Sequence, residues 1–219
     1  MDEEVITIRF GPKFKLAVII IAFCLLAGFL IYRNGVRRAV PNIPPPVQEE
    51  CTGGARIFLD GFEIRMFYLY KYDIEGLVVH TKAHPGLNIG DRLSPLDAAI
   101  AWGKVAEYND RINFHWDQID RFAKWNVNDI DELDPVGGLY AVNGSFSNNH
   151  LIPSNDTIRG QLLRLRRGDH VRIKGYLVEC DGNNEDSTRF LEWKSSTSRD
   201  DEGDGACEII YVTSIEWLA

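Results

Sequence analysis

The sequence predicts an α+β fold: one apolar N-terminal helix, then a single domain built on a curled antiparallel sheet with two or three short helices. Three observations predict it. Residues 16–32, LAVIIIAFCLLAGFLIY, carry neither charge nor proline. The C-terminal third alternates apolar and polar residues in strand-length runs such as HVRIKGYLVEC, the period of a half-buried strand. Helical spacing is confined to short segments with capping residues in front of them.

The first element is an anchor. Seventeen helical residues rise about 26 Å, at the short end of what crosses a bilayer, and Phe14 and Tyr32 extend the run towards the interfaces. The stretch is longer than the apolar core of a cleaved signal, and YRNGVRRAV after it lacks a small-residue cleavage site. Phe23 before Cys24 does not fit a lipidation signal. Arg9, Lys13 and Lys15 precede the helix and Arg33, Arg37 and Arg38 follow it, so basic residues do not orient it. The short N-terminal tail favours tail inside and body outside, which in a Gram-negative bacterium means a single-pass inner-membrane protein with a periplasmic domain. Four prolines within residues 41–46 then predict a stiff polyproline spacer standing the body off the membrane. The expected organisation is a tail (1–15), a transmembrane helix (16–32), a linker (33–50) and one domain (51–219).

Inside the domain, RIFLDGFEIRMFYLYKYDIEGLVVHTKAH is aromatic and β-branched, with turn signals at Asp60-Gly61 and Asp73; it predicts two or three strands. LSPLDAAIAWGKVAEY predicts a helix, with Ser94 as N-cap, Pro95 at the first position and Asp97 completing a capping box. Residues 107–135 are mixed: INFHWDQIDRFAKW suits strand or helix, and NDIDELDPVGGLY reads as loop. A short helix is expected near 155–166, capped by Ser154 or Asn155, with Ile158, Leu162 and Leu165 on one face. Three strands follow, HVRIKGYLVEC, TRFLEWKSS and CEIIYVTSIEWL, with DGNNEDS as a hairpin loop.

RRGDHVRIKGYLVE resembles the Gly-bent strands of OB-like barrels, so an OB-like or small-barrel second half is expected. The runs DIEGLVVHTKAH, LSPLDAAIAWG, NNHLIPSND, RRGDHVRIKGYLVE and SSTSRDDEGDGACE, in that order, resemble a group of uncharacterised bacterial proteins with an N-terminal hydrophobic segment and one small domain. The resemblance covers most of residues 70–218. It implies one domain on one anchor and carries no activity.

Charge narrows the partners. The net charge is −8. Residues 1–50 hold 6 basic and 5 acidic residues; removing them from the totals of 24 and 32 leaves 18 and 27, a balance of −9 on residues 51–219. An acidic body repels phosphate backbones, which argues against nucleic acid. No Gly-rich phosphate loop, GxSxG elbow or Cys-x-x-Cys pair is present, and no cofactor is implied.

The candidate chemistry gathers in WKSSTSRDDEGDGACEIIYV. Ser195, Ser196, Arg199, Asp200 and Asp201 are candidates for a recognition loop at the end of the sheet. Asp200, Glu202 and Asp204 alternate ahead of Gly205, like the first half of a calcium loop, but the twelfth position is Tyr211, where a bidentate Glu is wanted. A solvated hairpin loop explains the same residues. Cys207 is a candidate nucleophile with His150 as its base, His150 otherwise being a turn residue; the neighbouring acids favour the thiol over the thiolate. Cys180 and Cys207 are candidates for a disulfide if the sheet curls enough to bring them together. His80 and His84 have the spacing of a helical metal pair but lie in a strand-like run ending at Pro85. With no complete catalytic motif beside a clear tether, the sequence favours a membrane-tethered, non-enzymatic binding or assembly module acting on another envelope protein. The alternative is an anchored hydrolase using the 195–207 loop, with a weakly bound divalent metal or with Cys207 and His150.

Overall fold

The computed structural model describes residues 11–184, 190–198 and 206–219. The chain divides into two units, one ending at Val36 and one beginning at Arg37. In the first, α1 (Pro12–Asn34) runs for 23 residues and closes at Gly35, whose N–H makes the last helical bond, to the Ile31 carbonyl, and whose φ of 69° turns the chain out of the helix. Among the described residues it is the one helix long and apolar enough to cross a bilayer.

The second unit starts earlier than the sequence predicts, because the proline-rich segment is an ordered strap and not a stand-off spacer. Arg37 donates to the carbonyls of Asn109, Asp110 and Ile112 at 2.9–3.2 Å. Val40 N–H bonds the Ala106 carbonyl, and the Ile43 carbonyl accepts from Gly103 N–H. Val40 and Ile43 are buried. The strap ends as β1 (Val47–Glu50), paired with a long central strand. Two apolar side chains, Val40 and Ile43, decide where it lies.

That central strand is β3 (Phe62–Ala83), reached from β2 (Gly54–Leu59) through a turn at Asp60-Gly61 with φ of 51° and 76°. It runs 22 residues without the expected break at Asp73, which pairs with Val47 on one side and Lys174 on the other. After α2 (Ile89–Leu93) comes β4 (Leu96–Ala101), then α3 (Gly103–Tyr108). The first half of the predicted helix is thus a strand. All six residues of β4 are buried, and a strand covered on both faces shows no alternation to read. Ser94 closes α2 and Asp97 caps nothing.

A small hairpin, β5 (Asp117–Ile119) and β6 (Phe122–Lys124), a 3-10 turn (Ile130–Val136) and α4 (Gly138–Asn143) occupy the mixed middle. Then follow β7 (Phe146–Pro153), α5 (Asp156–Leu162), β8 (His170–Asn184), β9 (Phe190–Lys194) and β10 (Glu208–Trp217). Asn155 caps α5 through its side chain, as the sequence predicts.

The strands close on themselves. The order β3-β4-β7-β10-β8 returns to β3, every pair antiparallel except β7 with β10. The fold is therefore α+β with a mostly antiparallel, ring-like sheet. Ile74, Val78, Ile100, Leu151, Ile173, Leu177 and Ile210 fill the ring, with Ile158, Leu162 and Leu165 packed against them. Gly175 is required where β8 crosses β10, since a Cβ there would strike the Tyr211 carbonyl. A second apolar cluster, Phe62, Ile64, Met66, Leu93, Ile152, Val178, Leu191 and Ile209, packs on the opposite side of the sheet.

Candidate functional site

Register builds the site. Across the β4/β7 pair, Asp97 stands directly opposite His150, and across β7/β10, Asn149 stands opposite Glu208. Alternation then puts Asn148 and His150 on one face of β7, turned away from Leu151 and the ring interior. Cys207, one residue ahead of β10, comes level with Asn148. His150 is therefore on a buried strand, not in a turn.

Asp97 is the hub. Its side chain is fully buried, and a buried carboxylate needs cationic or hydrogen-bonding partners. One oxygen, Oδ2, lies 2.7 Å from His84 Nε2. The other, Oδ1, lies 2.8 Å from Arg121 Nη1 and 2.9 Å from His150 Nδ1. The His150 contact is a charge contact, since the ring N–H points off the line needed for a hydrogen bond. Arg121 forks, its Nη2 reaching Asp91 Oδ1 at 3.0 Å. The guanidinium fills the place between Asp91 and Asp97 where a cation would otherwise sit. It is delivered there by the β5–β6 turn, in which Asp120 takes a left-handed φ of 51°. Burial alone would raise the Asp91 carboxyl; the bond and charge of Arg121 overcome this and lower it.

Cys207 lies on the same side of the sheet as His150, across the β7–β10 pair. Burial alone would depress its imidazolium, but the Asp97 carboxylate and the Cys207 thiol beside the ring push it up to about 9. The ring stacks on Trp193, centroids 5.6 Å apart, and the Arg121 guanidinium lies over the same indole at 5.1 Å. Asn148 Nδ2 donates to Cys207 Sγ at 3.2 Å and to the Arg121 carbonyl at 2.6 Å. Its Oδ1 accepts from Gln118 Nε2 at 2.6 Å, while Gln118 Oε1 lies 3.0 Å from His80 Nδ1. That chain fixes which end of the Asn148 amide faces the sulfur.

Cys207 is partly exposed and opens on a cleft of about 730 Å³. Phe122, Trp125, Val127, Ile130, Leu139 and Phe146 form most of its apolar lining. Volume and lining are those of small-molecule sites, roughly 300–1,000 Å³ and mainly apolar with a few placed polar groups. The arrangement can hold a thiolate against an imidazolium, orient that ring from behind with a carboxylate, and offer an amide N–H beside the sulfur.

No family model, curated protein or solved structure matches this chain. Its chemistry has to be read from its own residues. Of those the sequence singles out, Cys207 and His150 come onto one face of the sheet. Ser195 and Ser196 do not form an open recognition loop. Both are buried, Ser195 Oγ joining the Ser196 carbonyl to Ile209 N–H, and Ser196 N–H bonding the Cys207 carbonyl. They stitch the thiol's strand in place. Arg199, Asp200, Asp201, Glu202 and Asp204 lie outside the described residues. Among the described residues no cluster of His, Cys, Asp and Glu is placed to hold a metal. The candidate Cys180–Cys207 bridge is not formed, and both are free thiols. Cys180 pairs across to Trp193 of β9, and the continuation of β9 runs between it and Cys207. Asp97, Arg121 and Asn148 carry no site signal in the sequence: Asp97 reads as a capping residue, Arg121 belongs to a run that suits strand or helix, and Asn148 to a turn-like one.

Proposed function

We propose that this chain is a membrane-tethered thiol hydrolase or acyl-transfer domain, with Cys207 as nucleophile, His150 as its proton partner and Asp97 orienting His150. One observation carries the reading: the β4–β7–β10 register sets Asp97 against His150 at 2.9 Å and brings Cys207 level with Asn148 on the same face, where the sulfur opens on an apolar cleft. Asn148 Nδ2, beside the sulfur, is the donor for the oxygen of a tetrahedral intermediate. We read the ring as OB-like. Its order, with α5 between third and fourth strands and the third and fifth parallel, supports this reading. OB folds take ligands on the face of their second and third strands, and the cleft lies against β7, the third. That analogy speaks to location and not to chemistry.

The test is selective alkylation of the full chain in mild detergent at pH 7, read by peptide mass. Cys207 is expected to react with iodoacetamide at least roughly tenfold faster than Cys51, and His150→Gln to remove that advantage. Asn148→Ala serves as a second variant if His150→Gln melts. A Cys207 no faster than Cys51 in the folded protein overturns the reading. It would leave a second one, the non-enzymatic module docking another envelope protein, which the exposed rim residues Ile130 and Leu139 favour. In that case Cys207 is a bystander and His150→Gln changes nothing at the sulfur.

The tether is α1, in the bacterial inner membrane with the domain on the periplasmic side. Its length and its apolar surface on all sides support this. The chain is expected to stay with membranes through alkaline carbonate and to leave them in detergent. Protease added to spheroplasts should remove the domain. Release by carbonate, or protection from the protease, would overturn anchor or orientation respectively.

A further inference from the structure

We propose that the cleft beside Cys207 takes the aliphatic acyl part of an uncharged ester, and that Cys207 carries that acyl group as a thioester. This rests on the thiol reading above and names its substrate class. The cleft is walled by the rings of Phe122, Trp125 and Phe146 and by Val127, Ile130 and Leu139. Among its polar groups, Asn143 Oδ1 accepts from Trp125 Nε1 at 3.0 Å, and Lys124 faces Asp117 at 3.7 Å. The walls are mostly aromatic rings and aliphatic side chains. They recover free energy from each methylene taken out of water. The acidic body, at −9 over residues 51–219, further disfavours anionic esters.

The step balances with water as the only co-reactant. The Cys207 sulfur attacks the carbonyl carbon; a C–S bond forms, and the C–O bond to the alcohol breaks. The alcohol oxygen leaves with the proton held at His150. Water then attacks the thioester, giving one proton to His150. A C–O bond forms, the C–S bond breaks, and the electron pair returns to sulfur opposite the recharged imidazolium. The products are a carboxylic acid and an alcohol. In both tetrahedral intermediates the oxygen lies beside Asn148 Nδ2.

The experiment uses the full chain in detergent and a series of 4-nitrophenyl esters from acetate to octanoate. It follows nitrophenolate release and the acyl mass on the Cys207 peptide. kcat/KM is expected to rise about three- to fourfold per added methylene until the cleft is filled. Leu139→Trp, which narrows the cleft, should lower the ratio of octanoate to acetate turnover. An acyl adduct on Cys207 whose rate is flat or falls with chain length overturns the substrate class and leaves the thiol reading standing. Fast alkylation of Cys207 with no adduct from any ester does the same. Loss of both alkylation and acylation removes the thiol reading itself. A parallel arm presents the octanoyl chain as a glycerol diester in the same detergent. Turnover there assigns the natural ester to lipid, and turnover of the nitrophenyl esters alone assigns it to a water-soluble ester.

Discussion

Replacing Asp97 with leucine is expected to destabilise the domain by about 3–5 kcal/mol, the cost of breaking a buried ion pair by removing one partner. The carboxylate has no exposed surface and serves three basic side chains at 2.7–2.9 Å: His84, Arg121 and His150. Leucine approximates the volume but leaves all three facing an apolar group. Arg121 cannot shed its proton. It keeps Asp91 at 3.0 Å and the Trp193 face, so part of its charge stays compensated. Thermal unfolding followed by tryptophan fluorescence should show a fall of roughly 8–15 °C for a domain of this size. The double variant Asp97→Leu with Arg121→Met should recover part of that loss, because it removes the stranded charge together with its partner. A fall under about 2 °C, or a double variant worse than the sum of the singles, would show that Asp97 is not the hub.

Asp97 also shows where sequence and structure part. In SPLDAAIAWG the acid follows Ser94 at capping-box spacing and precedes alanines, the best helix formers. Local preference points to a helix. Ring closure overrides it, since the small side chains of Ala98, Ala99 and Ala101 let β4 be covered on both faces. The same effect hid His150. SNNH is turn-like as text, but on β7 its polar residues make a buried hydrogen-bonded network. Where β8 and β10 have one solvated face their alternation is legible, as is α5 with its Asn155 cap. The pairing of Cys207 with His150 spans 57 positions and depends on the parallel register of β7 and β10. Sequence supplied the two residue types that chemistry needs and placed Cys207 among acids. Only the register could supply the distance.

Raising the pH from 6.5 to 9 is expected to cost the domain up to roughly 3 kcal/mol through His150 alone. Its imidazolium is held up to about 9 in the fold against 6.5 for the ordinary side chain. The folded state therefore binds this proton more tightly than the unfolded chain does. The stabilisation is fully present below pH 6.5, shrinks as pH rises, and is gone once the pH passes about 9. The groups facing the ring are Asp97 from β4, Cys207 ahead of β10, and Arg121 from the β5–β6 turn, with His84 behind Asp97. Asp97 and the sulfur draw the proton in; Arg121 opposes it. Cys180, pushed up to about 12 by burial and then by the neighbouring acids Asp181 and Glu179, acts in the same direction, but only above the ordinary thiol value of 9.0. The interval between 6.5 and 9 therefore isolates His150. Melting temperature measured across that interval at constant ionic strength should fall by roughly 6–10 °C in the native chain, and His150→Gln should flatten the curve while lying below it at pH 6.5. An equally steep curve in His150→Gln would move the titrating proton to another group. A flat native curve would mean that burial of the ring outweighs its partners, and that His150 is neutral beside the sulfur.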